Sequence, residues 1–264
     1  MLATALVVFR EILEASLIVG IVLAACPGIA HRATMALAGV TAGVLGSVAL
    51  AAAAGRIAEA AAGVGQEILN AAILGATVVM LGWHSVWMSH YGRRISIQMR
   101  AIGHEVAAGR TPVWVLGSVI ALAVLREGSE IVLFLYGAAA GGTHRGQMLS
   151  GGILGLAAGM LAGMALYHGL LRVPLRLFFT ITGALILFVA AGLASQAAGM
   201  LVQAGLIEHF SEPIWDTSQL ISDGSIAGNV LHALLGYTAR PAAIQVVCYV
   251  LTLCIIGGMI VVSS

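Results

Sequence analysis

Charge is scarce in this sequence. Asp, Glu, Lys and Arg make up 9% of its 264 residues, against about 25% in an average soluble domain. Hydrophobic residues make up 60% and the mean hydropathy is +1.04. That balance excludes an ordinary soluble domain and a disordered chain alike. The net charge is only +1, so no global basic field points to nucleic acid. Cysteine is scarce as well. Cys26, Cys248 and Cys254 match no metal or redox spacing, and their odd number argues against a disulfide framework, so they read as core or lipid-facing residues. A basic region ahead of an uninterrupted apolar core is missing too. Leu23-Ala24-Ala25-Cys26 resembles a lipoprotein cleavage box, but Arg10, Glu11 and Glu14 interrupt the run before it. Residues 2–25 are therefore expected to form a retained span. Segments of about ten residues with alternating apolarity, the mark of a membrane barrel, are also absent.

What is present is a series of long apolar runs. A spanning helix needs roughly 20 mostly apolar residues. Seven segments meet that need: 2–25, 34–54, 67–88, 113–139, 147–170, 174–202 and 241–262. Backbone groups in lipid must bond internally, so these are expected to be helices. Arginine placement sets the orientation. Arg93, Arg94, Arg100 and Arg110 put the segment 89–112 in the cytoplasm, and Arg32, Arg172 and Arg176 fall on the same side. Arg56, Arg145 and Arg240 fall on the other. The N-terminus is then outside, the C-terminus cytoplasmic, and the acidic segment 203–240 outside.

The first and fourth runs repeat one another. Arg10-Glu11-Ile12-Leu13-Glu14 and Arg126-Glu127-Gly128-Ser129-Glu130 are offset by 116 positions. At that offset Ala5, Leu6, Val8 and Leu17 also find identical residues, Gly39 falls on Gly155, Gly43 on Gly159, and Ser47 on Gly163. The chain is thus read as one all-α membrane domain, 1–264. It has three-span halves at 1–112 and 113–203, an outer segment at 204–240 and an extra helix at 241–264. Three is odd, so the second half enters the membrane from the opposite side. Such inverted repeats are a plan of secondary transporters, with the substrate site near the midplane between the halves.

Glutamates three apart share a helix face, so Glu11 pairs with Glu14 and Glu127 with Glu130. Arg10 and Arg126 each lie four residues before the second glutamate, within reach of an ion pair. Each charge at a helix centre costs roughly 2.5–3.5 kcal/mol on insertion scales. Packing alone does not repay six of them, which points to a permeation or coupling site. Four glutamates and two arginines carry a formal −2, which suits a multivalent cation held by oxygen ligands. Cation entry would then displace protons from crowded carboxylates. A di-iron carboxylate enzyme would use Glu-x-x-His and a zinc hydrolase His-Glu-x-x-His; neither occurs. No enzyme activity is expected.

Paired Arg-Glu-x-x-Glu motifs in the first and fourth of seven spans resemble the oxidase-dependent iron permease family, which includes a yeast high-affinity permease and bacterial Efe-type permeases. The resemblance covers essentially the whole chain. Trp215-Asp216-Thr217-Ser218, Gly236-Tyr237 and Arg240-Pro241 are similar to the bacterial branch. Where the family often has Gly-Leu inside the motif, this chain has Ile12-Leu13 and Gly128-Ser129. The resemblance implies iron import across a bacterial cytoplasmic membrane, with Glu11, Glu14, Glu127 and Glu130 handling the metal and Arg10 and Arg126 supporting them. It implies iron as transported substrate rather than resident cofactor, and an outer-face partner that oxidises or delivers iron. The alternatives are another divalent metal, manganese or lead, and a membrane-embedded metal-oxidising subunit.

Secondary features are weaker. Gly151, Gly155, Gly159 and Gly163 form a ladder suited to close helix packing. Glu208, Glu212, Asp216 and Asp223 could gather cations outside. Residues 217–236 suggest a short interfacial or re-entrant helix. Gln196 and Gln203 could line a polar path. His84 and His168 make no evident facing pair for haem, and the methionines form no spaced copper motif.

Overall fold

The computed structural model describes residues 1–26, 31–60, 66–169, 175–207, 210 and 212–263. Its helices are α1 (Leu2–Ala25), α2 (Arg32–Ala60), α3 (Gln66–Ala107), α4 (Trp114–Ala140), α5 (Arg145–Tyr167), α6 (Leu175–Gln203), α7 (Ile226–Leu235) and α8 (Ala243–Ser263). Among the described residues there is no strand; a single isolated bridge pairs Pro213 with Ala242. Among the described residues five helical stretches are long and apolar enough to cross a membrane: Arg32–Ile57, Gln66–Trp87, Arg145–Tyr167, Thr180–Gln203 and Ala243–Val262. Helices α1 and α4 are of similar length, 24 and 27 residues, but each carries the three charges of its motif. Outward faces of α2, α5 and α8 expose Leu37, Leu45, Leu149, Ile153, Leu251 and Ile255. Apolar faces that extensive suit lipid rather than water.

Two apolar clusters hold the interior. One joins Val7 of α1, Leu74 and Leu81 of α3, Phe134 of α4, Ile186 and Val189 of α6, and Ile256 of α8. The other joins Val22, Cys26, Ala36, Val106, Leu116 and Ile120. Along α1 the chain passes from the first cluster to the second; along α4 it passes from the second to the first. The two motif helices therefore run in opposite directions, and both motifs lie between the clusters.

The principal helix packing is crosswise: α1 lies along α5 and α2 along α4. Glycine makes both contacts possible. A Cβ at Gly155 would sit 2.6 Å from the Ala5 carbonyl oxygen, and one at Gly43 would sit 2.7 Å from that of Ala121. Because Ala5 and Ala121 are equivalent at an offset of 116, the glycines that answer each other here are Gly43 and Gly155, an offset of 112. Gly39 against Gly117 and Ile120 likewise matches Gly151 against Met1 and Thr4. This corrects the expected equivalence of Gly39 with Gly155 and Gly43 with Gly159. The chain between the two contact points is four residues, about one helical turn, shorter in the second half.

The other departure is at α3. The polar stretch after residue 88 continues the helix to Ala107, 42 residues in all, about 63 Å at 1.5 Å per residue. Hydropathy reports contact with lipid, not helicity, and no proline interrupts this stretch. Gly109 stops it in the left-handed region at φ 69°, its N–H donating to the Val106 carbonyl. Arg172 lies outside the described residues.

The segment 204–240 contains the short helix expected within 217–236. Ser225 caps α7 by accepting from the Gly228 N–H at 2.9 Å, and Gly236 closes it at φ 68°. Gly236 also rests directly on Gly192 of α6, where any side chain on either residue would collide with the other's backbone. That contact lets α7 lie against the α6 backbone.

A buried carboxylate–histidine cluster as candidate metal site

Glu11 and Glu14 on α1 and Glu127 and Glu130 on α4 face one another in the interior, with Arg10 beside them, all buried. Helix α3 adds His84, only 2% exposed. Gly128 lies against Ser47 with no room for a side chain, so the second motif can pass close to α2.

The two arginines are used differently. Arg10 Nε donates to Glu14 Oε1 at 2.8 Å, both groups almost fully enclosed. Arg126 Nε reaches Glu130 Oε1 at 3.4 Å, its side chain is 34% exposed, and its guanidinium lies 4.1 Å from the Trp87 ring centroid. That stacking is a cation–π contact. The first motif is thus a closed ion pair and the second an open one.

His84 bridges the two helices. Its Nδ1 lies 2.5 Å from Glu130 Oε2, and its Nε2 lies 3.3 Å from Glu14 Oε2 and 3.9 Å from Glu11 Oε2. Arg126 Nη2 also approaches Nδ1, at 3.3 Å. A single ring nitrogen cannot donate to Glu130 and accept from Arg126 together. The ring tautomer decides which of the two Nδ1 engages. Among the described residues neither Glu11 oxygen has a hydrogen-bond partner, and the same holds for Oε2 of Glu14, Glu127 and Glu130 and for Nε2 of His84. Buried carboxylate oxygens without donors are costly unless a cation serves them. One donor atom each from Glu11, His84, Glu127 and Glu130 lie within 4.8 Å of one another, a spacing able to hold a metal ion. Glu14 stands beside this set, engaged by Arg10 and facing His84.

A charged cluster of this kind, walled by apolar layers in a membrane-type bundle, raises the question of family. The sequence profile described as the iron permease FTR1 family matches residues 1–264. The chain belongs to the iron permease FTR1 family. It is 33% identical over 249 residues to the ferrous iron permease EfeU of Yersinia pestis, covering 92% of this chain and 87% of that one. It is 35% identical over 182 residues to the ferrous iron permease EfeU of Shigella flexneri, covering 69% and 77%. No solved structure matches it. The permease is thus a multi-pass membrane protein of iron transport, not an enzyme.

Sequence reasoning weighed His84 only as a haem ligand and missed its place among the permease's motif glutamates. A histidine inside an apolar run was the available signal; its partners on α1 and α4 were not. His168 is elsewhere, exposed and bonded through Nδ1 to the Met164 carbonyl.

The permease's acids in the segment 204–240 are tied into local structure. Asp216 accepts from the Ser218 N–H and hydroxyl at 2.9 and 2.6 Å and pairs with Arg240 at 2.8 Å. Hydrogen bonds from Arg240 and then Ser218 hold the Asp216 carboxyl well below the usual carboxylate range. Asp223 accepts from the Ala239 N–H at 2.9 Å. Glu212 is exposed, and Glu208 lies outside the described residues. Among the described residues these acids form no group able to share one metal. Tyr237 fastens the same segment, its hydroxyl bonding Thr217 at 2.6 Å and the Ile221 carbonyl at 2.9 Å. Gln196 reaches His232 at 3.1 Å and so links α6 to α7, while Gln203 borders a small hollow with Arg240 and Gln245.

Proposed function

We propose that this permease imports iron across a bacterial cytoplasmic membrane through seven spans arranged as two inverted three-span halves and an eighth, non-spanning helix, α7. The opposed course of α1 and α4 and the matched glycine contacts of α1·α5 and α2·α4 support the repeat. In this reading the iron ion is substrate, not resident cofactor. Glu11, Glu14, Glu127 and Glu130 handle it near the midplane, while Arg10 and Arg126 balance charge and fix carboxylate geometry. The names of the relatives favour ferrous iron as the form carried. A second protein on the outer face delivers or oxidises the metal.

The observation that carries this reading is the buried carboxylate set between two apolar layers. Any ion reaching it exchanges water for protein oxygens, and the layers must open in turn for it to leave. A charged set there costs stability and adds nothing that leucine packing would not. Glu127 is an informative position, because its Oε2 has no hydrogen-bond partner to lose. Radiolabelled uptake into proteoliposomes, with ferrous and ferric iron in parallel, tests it. Wild type is expected to accumulate iron and Glu127→Ala to lose at least nine-tenths of that rate while remaining monodisperse in detergent. Equal uptake by the two proteins would remove the repeat site from the path.

A further inference from the structure

We propose that His84 is itself a ligand of the transported ion, through Nε2, with Glu130 as the carboxylate that orients the ring. This rests on the reading of the carboxylate cluster as the metal site and adds the donor that the motifs do not supply. Three features of the geometry carry it. Nδ1 stands against Glu130 Oε2 at 2.5 Å and Arg126 Nη2 at 3.3 Å, which leaves Nε2, buried and without a hydrogen-bond partner among the described residues, turned toward α1. There Nε2 faces Glu14 Oε2 at 3.3 Å and Glu11 Oε2 at 3.9 Å. Donors bound to one first-row ion at about 2.0–2.2 Å stand roughly 3–4.4 Å apart, so these separations already suit a shared cation. Finally, Glu11 is fully buried with neither oxygen holding a donor among the described residues, and it is aimed into this space.

A histidine whose second nitrogen donates to a carboxylate is the usual form of a metal-ligating imidazole, because that bond fixes the tautomer and raises the ligand's basicity. Glu130 is then a positioning residue through the oxygen it gives to His84. The chemical consequence is selectivity. Carboxylates alone accept magnesium, calcium and manganese readily, whereas one imidazole shifts preference toward iron and later first-row ions. The motif glutamates would make the site a cation site, and α3 would make it an iron site.

The test uses Mn2+ as the probe, bound to the purified full-length permease in detergent, read by electron spin-echo envelope modulation. Wild type is expected to show modulation from a directly bound 14N that changes to the 15N pattern when histidine is labelled. His84→Gln is expected to lose it and to bind Mn2+ at least tenfold more weakly. Its Fe2+ uptake should lose advantage over Ca2+ in competition. His84→Asn serves as the second variant if His84→Gln is not monodisperse. Nitrogen modulation that survives in either variant overturns the proposal. Mn2+ bound without nitrogen modulation, yet weakened by Glu11→Gln, overturns it while leaving the carboxylate site intact. Mn2+ binding indifferent to both Glu11→Gln and Glu127→Gln would overturn the carboxylate site and this proposal together.

Discussion

At the scale of single residues the two motifs are alike in sequence and unlike in use. Arg10 is enclosed and bonded to Glu14, whereas Arg126 is partly open and divides itself among Glu130, His84 and Trp87. Removing one member of a buried pair leaves the other uncompensated, at a cost of about 3–5 kcal/mol, while partly exposed pairs are worth far less. Arg10→Leu should therefore lower the thermal midpoint in detergent markedly and Arg126→Leu only slightly. Adding Glu14→Leu to Arg10→Leu should recover much of the loss, since the orphaned carboxylate goes with it. A fluorescence-detected melting series compares all three; equal losses for the two arginine variants would contradict the asymmetry. The glutamates themselves were legible in sequence because charge inside an apolar run is costly enough to need a reason. His84 was legible as an oddity only. Its meaning depends on which neighbours α1 and α4 bring to it, and no spacing along the chain encodes that.

At the scale of elements, hydropathy located the helices and glycine located their contacts, but the glycine ladder left its own register open. Residues spaced by four present the same face at every turn, so a shift of one turn preserves the pattern. Only the carbonyls they touch show that Gly155 answers Gly43. The same contacts make a sharp prediction. Gly155 and Gly152 stand on one helix, yet a Cβ at Gly155 would crowd Ala5, Val8 and Phe9 while one at Gly152 meets nothing within 4 Å. Overpacking a fitted contact costs typically about 1–3 kcal/mol. Gly155→Leu should thus depress the melting midpoint and the yield of folded protein, and Gly152→Leu should leave both near wild type. Similar loss in both would mean that α5 does not pack on α1 through this face. The extension of α3 shows the converse limit: its polar half was visible as charge, and its helicity was not, because nothing apolar marks its period.

At the scale of the molecule, the direction of each helix is fixed by what it touches at its ends. Met1 lies against Gly151 at the start of α5, and Gly141 at the end of α4 lies against Gln196, which holds His232 of α7. These contacts gather the start of α1, the α4–α5 turn and α7 on one side. Val106 near the end of α3 packs with Ala36 and Leu116 and so belongs to the other. By arginine count that second side is expected to be the cytoplasmic one, since a chain inserts with its basic connections retained there. The sidedness can be read directly. In a background with Cys26, Cys248 and Cys254 replaced by alanine, His144→Cys, Gln219→Cys and Ala108→Cys each place a thiol at an exposed position. A membrane-impermeant maleimide applied to intact spheroplasts should label residues 144 and 219 and spare 108. Permeabilisation should then expose 108 as well. Labelling of 108 together with 144 in intact cells would break the opposed course of α1 and α4, and with it the inverted repeat on which the midplane site depends. The reversed pattern, 108 alone, would keep the repeat and turn the whole permease over, and the outer segment could then no longer meet a partner that delivers iron from outside.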